Sequence, residues 1–153
     1  MSDENMEIHS LMAPERVILE LKSATKRDAL VEIVENLGES DAITDVNALE
    51  NAILEREEIM STGVGLTIAA PHAKLPSVKA FTLGIARSTE GIDYDSLDGK
   101  PVHIIVTIAA PDNDQRTYLS VLAGVMRVLK NENKRKKILS ASSGDEIVNV
   151  FRP

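Results

Sequence analysis

The sequence contains no cysteine and no tryptophan. Without cysteine there are no disulfides, thiolate nucleophiles or cysteine-ligated metals. Aromatic residues make up only 3% of the chain, too few for the stacking platforms that hold single-stranded nucleic acid. No apolar run approaches the ~20 residues of a membrane-spanning helix. The first residues, Met1 to His9, are polar and acidic and lack the basic and apolar regions of a secretory signal. Positive charge is scarce as well: 17 Lys and Arg stand against 24 Asp and Glu, for a net −7. Such a balance repels a phosphate backbone and counts against a nucleic-acid partner. The expectation is a cytoplasmic protein with no stable membrane insertion. What is present is aliphatic, with 43% hydrophobic residues over 153 positions, enough to build the core of one domain.

Residues 1–14 read as a flexible lead-in and 15–153 as the domain. Val17 to Leu21 is a short β-type run. Thr25 with Asp28 suggests a helix cap, and Ala29, Leu30, Ile33, Val34 and Leu37 recur at helical spacing up to Gly38. Asp45 is placed to cap a second helix running to about Met60. The period then changes. Gly65–Ala70, Ala80–Ser88 and Val102–Ala110 are apolar runs set off by Pro, Gly and Asp, as strands are, and Asp98-Gly99 marks a turn before the last of them. After Pro111 a helical stripe returns with Tyr118, Leu119, Leu122, Ala123, Met126 and Leu129. A basic segment, Lys134 to Lys137, follows. Ser143 and Glu146 have capping-box spacing ahead of a last apolar helix. Helices, strands, then helices predict a single α/β domain, a sheet flanked by helices on both faces. Thr67-Ile-Ala-Ala-Pro71 recurs as Thr107-Ile-Ala-Ala-Pro111. If the two run the same way in one sheet, His72 lies near the segment Asp112 to Tyr118.

Several motifs fail. Gly63-Val-Gly65 lacks the third glycine and the preceding strand of a dinucleotide fingerprint, and no phosphate-binding P-loop exists. His9, His72 and His103 are far apart and lack a ligand partner at metal spacing, so no metal or other cofactor is expected. His9 falls in the lead-in and His103 inside a strand. His72 follows Pro71, in what reads as the loop after a strand. A neutral imidazole is a nucleophile that can accept a phosphoryl group and release it, and phosphoryl transfer needs mainly placement and charge stabilisation. Nearby groups of the right kind are the Arg56 guanidinium, the Ser61 and Thr62 hydroxyls, and the backbone around Gly63 and Gly65.

In order and spacing, Arg56-Glu57, Ser61-Thr-Gly-Val-Gly65 and Pro71-His-Ala73 resemble the type-2 enzyme IIA family, the fructose, mannitol and nitrogen-regulatory branch of the bacterial phosphotransferase system. The resemblance continues through Leu97-Asp-Gly-Lys-Pro-Val102 and Leu119-Ser-Val-Leu-Ala123, from about Val17 to Phe151. It implies a mixed sheet flanked by helices, with His72 as the phospho-accepting histidine and Arg56 as the active-site arginine. It also implies a histidine phosphocarrier protein as donor. The receiver is then an enzyme IIB in sugar uptake or, in the nitrogen-related branch, a regulatory target protein. Three departures stand out. Ala70 replaces a bulkier aliphatic residue, and Leu66-Thr67 replaces a pair that is commonly Asn-Gly. Tyr118 occupies the place of a second histidine, which adds it to the expected phosphate-binding group.

Overall fold

The computed structural model describes residues 7–153. Its elements run β1 (Val17–Ile18), α1 (Lys26–Leu37), α2 (Val46–Ile59), β2 (Gly63–Gly65), β3 (Ile68–Ala69), β4 (His72–Lys74), β5 (Thr82–Ile92), β6 (Val102–Ala110), α3 (Gln115–Leu129), α4 (Glu132–Ser140) and α5 (Gly144–Val150). The helix starts follow local chemistry. Thr25, Asp45, Asp114 and Ser143 each accept a hydrogen bond from a backbone N–H of the first turn, satisfying a donor that has no partner inside the helix. The basic segment of the sequence forms α4, a helix of its own. Its N-cap, Asn131, accepts from Lys134 N, and only Ile138 of its side chains is buried, so it carries almost no apolar stripe to read.

Six strands form one mixed sheet in the order β1-β5-β6-β3-β2, with β4 also paired to β6. The long antiparallel pair β5·β6 forms its spine, and β1 adds to β5 in parallel. On the other side of β6, β3 pairs in parallel with Ile104 and Ile105, and β4 with Ile108 to Ala110. The side chains of β6 fill two cores. Val102, Ile105 and Ala109 pack with α1 and α2, whereas Ile104, Val106 and Ile108 pack with α3, α4 and α5. The chain is thus a single α/β domain with helices on both faces.

Three expectations change. Gly65–Ala70 is not one strand but a hairpin: Gly65 pairs with Ile68 across the two residues Leu66 and Thr67, which have φ of 56° and 65°. That is the geometry of a two-residue turn normally filled by Asn-Gly. His72 does not lie in a loop. The strand breaks at Ala70-Pro71 and resumes at His72, with the Pro71 carbonyl accepting from Ile108 N at 3.0 Å. Pro71 itself has no N–H to give a ladder, which explains the break. Finally, the stretch from Ile8 is not a loose lead-in, since Ile8 and Met12 are buried in the α3-side core; residues 1–6 lie outside the described residues.

Candidate functional site

The edge formed by β4 brings together side chains from both faces of the sheet. In β4, Ala73 points into the core shared with α1 and α2, so His72 and Lys74, on either side of it, point towards α3. The two Thr-Ile-Ala-Ala-Pro segments do lie parallel, but they are out of step, because Ile68 pairs with Ile104 rather than Ile108. The offset sets His72 beside Ile108, short of the Pro111 turn that leads into α3. The His72 and Tyr118 rings meet with centroids 5.8 Å apart and planes tilted by 53°.

His72 has a defined tautomer. Its Nδ1 lies 2.9 Å from the Ala70 carbonyl oxygen. A carbonyl can only accept, so Nδ1 carries the proton and donates. The lone pair then resides on Nε2, which has no hydrogen-bond partner among the described residues. The strand break supplies this acceptor: the turn of chain at Pro71 brings the Ala70 carbonyl within reach of the ring two residues on.

Arg56 comes from the last turn of α2 and donates from Nη1 to the Met60 carbonyl at 3.1 Å. Its charge is near enough to act on the Tyr118 phenol. Burial raises the Tyr118 pKa and Arg56 partly offsets that rise; the phenol therefore stays neutral near pH 7 and can donate. Lys74 extends over the Tyr118 ring, with Nζ 4.8 Å from its centroid, and donates to Gln115 Oε1 at 2.5 Å.

The Ser61–Gly65 segment is placed differently from the phosphate cradle expected of it. Thr62 is buried, and both its N–H and its hydroxyl are directed to the Glu57 carboxylate. The Ser61 hydroxyl donates to the Tyr94 carbonyl at 3.1 Å and accepts from Gly63 N. These donors are committed inside the fold and are not free for a phosphoryl oxygen. Gly63 is required for packing, since a Cβ there would fall 2.9 Å from the Tyr94 ring and 2.7 Å from Ser96 Oγ. Gly65 serves the hairpin with φ of 93°. Among the expected residues, then, His72 and Tyr118 meet and Arg56 is near enough to act on Tyr118, while Ser61, Thr62, Gly63 and Gly65 serve the fold itself.

Glu57 is the residue that the sequence did not single out. Only 8% exposed, it accepts from Thr62 and from the Tyr94 hydroxyl at 3.1 Å and pairs with Lys26 Nζ at 2.7 Å. Lys26 also lies 4.5 Å above the Tyr94 ring. Burial, and then the Glu57 charge, push the Tyr94 phenol far above its ordinary pKa. The signal in the sequence was the Arg56-Glu57 pair ahead of Thr62, but nothing local revealed that Lys26 and Tyr94 would close on it.

The family described as "Phosphoenolpyruvate-dependent sugar phosphotransferase system, EIIA 2" matches residues 10–152. The chain belongs to this family. It is a phosphoryl-transfer component of the enzyme IIA type. It is 37% identical over 146 residues to a fructose-specific EIIABC component of Bacillus subtilis, covering 95% of this chain but 23% of that relative's length. It is 32% identical over 146 residues to a nitrogen regulatory protein of Bradyrhizobium diazoefficiens, covering 95% of each. The crystal structure of the nitrogen regulatory protein IIA-Ntr from Neisseria meningitidis superposes with a TM-score of 0.87 at 26% identity, over 94% of this chain and 98% of that one. The relatives divide between sugar-specific and regulatory proteins, and the fold agrees with both. Among the described residues no helix is long and apolar enough to cross a membrane.

Proposed function

We propose that this enzyme IIA accepts a phosphoryl group on Nε2 of His72 from a histidine phosphocarrier protein and passes it to an enzyme IIB in sugar uptake. The observation that carries the reading is the hydrogen bond from Nδ1 to the Ala70 carbonyl, which leaves Nε2 as the nucleophile. In the transfer, the Nε2–P bond forms as the P–N bond to the donor imidazole breaks, and the electron pair returns to the donor ring. Nδ1 keeps its proton against Ala70 throughout. Arg56 supplies a fixed cation for the transferring oxygens, with a planar fork suited to two of them. Beside it, Ile59 and Met60 are 80% and 61% exposed. Large apolar side chains at the rim of a charged site suit docking of a protein donor better than a free small molecule.

A second reading has its own observation. Tyr118 is a phenol and cannot take up positive charge near neutrality as an imidazole can. A site with one histidine holds a dianionic phosphoryl group with less electrostatic help, which suits slow exchange in a regulatory module that binds its target according to the state of His72. Incubation with phosphoenolpyruvate, enzyme I and the phosphocarrier tests the shared core of both readings. An acid-labile phosphoryl adduct is expected on the wild type and none on a folded His72→Ala variant. Full labelling of His72→Ala would overturn it. Onward transfer to an enzyme IIB then separates transport from regulation.

A further inference from the structure

Lys74 is an exposed cation in an acidic protein, yet it pairs with no carboxylate among the described residues. Its ammonium is held by two neutral groups instead, the Gln115 side-chain carbonyl and the face of Tyr118. The same Tyr118 ring contacts His72 on the same side of the sheet. The full positive charge therefore rests two residues along β4 from the nucleophile, restrained by contacts that are each worth less than a charge-assisted bond between ions. A phosphoryl group on His72 would bring nearly two negative charges and strong acceptor oxygens within reach of a flexible four-carbon stem.

We propose that Lys74 is the counter-cation of the phosphorylated site, and that it leaves Gln115 to pair with the phosphoryl oxygens once His72 is modified. The inference rests on the reading of His72 as phosphate acceptor. It gives the site a second cation beside Arg56 where the phenol of Tyr118 offers none. It also gives phosphorylation a structural consequence. Gln115 is the first residue of α3, so removal of Lys74 unties β4 from the first turn of that helix and changes the surface a partner meets.

The test uses the intact chain and phosphoramidate, a small-molecule donor that needs no docking surface. The Nε2–P bond forms as the P–N bond of the reagent breaks, and ammonia leaves. Labelling is followed by phosphorus NMR, and the Gln115 side-chain amide and the Lys74 ammonium by nitrogen-edited NMR. Wild type should label at His72, with both sets of resonances moving as the adduct forms. Lys74→Met should label about tenfold more slowly, the loss of one charge-assisted contact, and its labelling rate should be less sensitive to salt. Lys74→Arg should recover most of the rate. Gln115→Met, which removes the resting tether, should label about threefold faster, a fraction of the worth of an exposed hydrogen bond from the ammonium. A wild-type rate in Lys74→Met, or a Gln115 amide that stays put in the phosphorylated wild type, overturns the proposal while the phosphohistidine reading stands. Absence of any adduct on wild-type His72 overturns both.

Discussion

Arg56 and Glu57 are adjacent in the chain and serve two opposite kinds of polar cluster. Around Glu57 the groups are largely buried and saturated: Lys26, Thr62 and Tyr94 meet its carboxylate. Around Arg56 the groups are at the sheet edge and underused: His72 Nε2 has no partner among the described residues, and Lys74 rests on neutral ones. A buried charge must be fully paired or it destabilises the fold. On the proposed function, the second cluster keeps some capacity unspent for the phosphoryl group that it would receive. One turn of α2 therefore presents a cation with one residue and anchors a structural post with the next.

Removing the post should give the largest effect. Glu57→Ala leaves Lys26 and the Thr62 donors without their acceptor, and we expect a loss of about 3 kcal/mol in chemical denaturation. Glu57→Gln should lose less, because an amide oxygen can still accept from Thr62. If Glu57→Ala is as stable as wild type, the contrast between the two clusters is wrong. On the reactive side, Arg56→Lys should leave stability unchanged and slow phosphorylation about tenfold, the equivalent of roughly 1.4 kcal/mol of transition-state stabilisation. Equal rates would make Arg56 a surface charge.

The hairpin between the clusters can be relaxed. Leu66 and Thr67 both occupy the left-handed region, which a β-branched residue tolerates poorly. The double substitution Leu66→Asn with Thr67→Gly should stabilise the protein by about 1 kcal/mol without altering phosphotransfer; a fall in rate would show that the hairpin tip belongs to the reactive cluster. The smallest effect is expected at Tyr118. In quench-flow measurements Tyr118→His should transfer phosphate a few-fold faster and Tyr118→Phe a few-fold slower, since one hydrogen bond to the phosphoryl group is gained in strength or lost. If all three rates agree and only the melting temperature moves, Tyr118 is a packing residue.

Much of this architecture was legible in the sequence because it is written in short-range rules. Capping residues placed α1, α2 and α5 within a residue or two, and the nine residues of β6, all but His103 and Thr107 apolar, begin and end where their run does. His72, Arg56 and Tyr118 were singled out through spacing and resemblance. The misplaced features depend on long-range pairing. Nothing between Gly65 and Ala70 announces a turn, because Leu66-Thr67 is poor turn chemistry held in place by the ladder on either side. The phosphate role expected of Thr62 gave way to a bond with Glu57, whose other partners Lys26 and Tyr94 are remote in sequence. Ile8 and Met12 looked too isolated in a polar stretch to be core residues until α3 folded beneath them.

The two ends of the fold are stitched together far from the reactive edge. Gly144, where α5 begins, lies so close to the Pro14 backbone that a Cβ would come within 2.9 Å of its carbonyl oxygen, and α5 also contacts β1. β1 forms one margin of the sheet and β4 approaches the other, with β5 and β6 between them, a separation of about 14 Å at ordinary strand spacing. The segment that enters β1 and the start of α5 thus clasp each other at the margin away from His72, so the closure of the fold and its exposed edge are carried by opposite sides of one sheet.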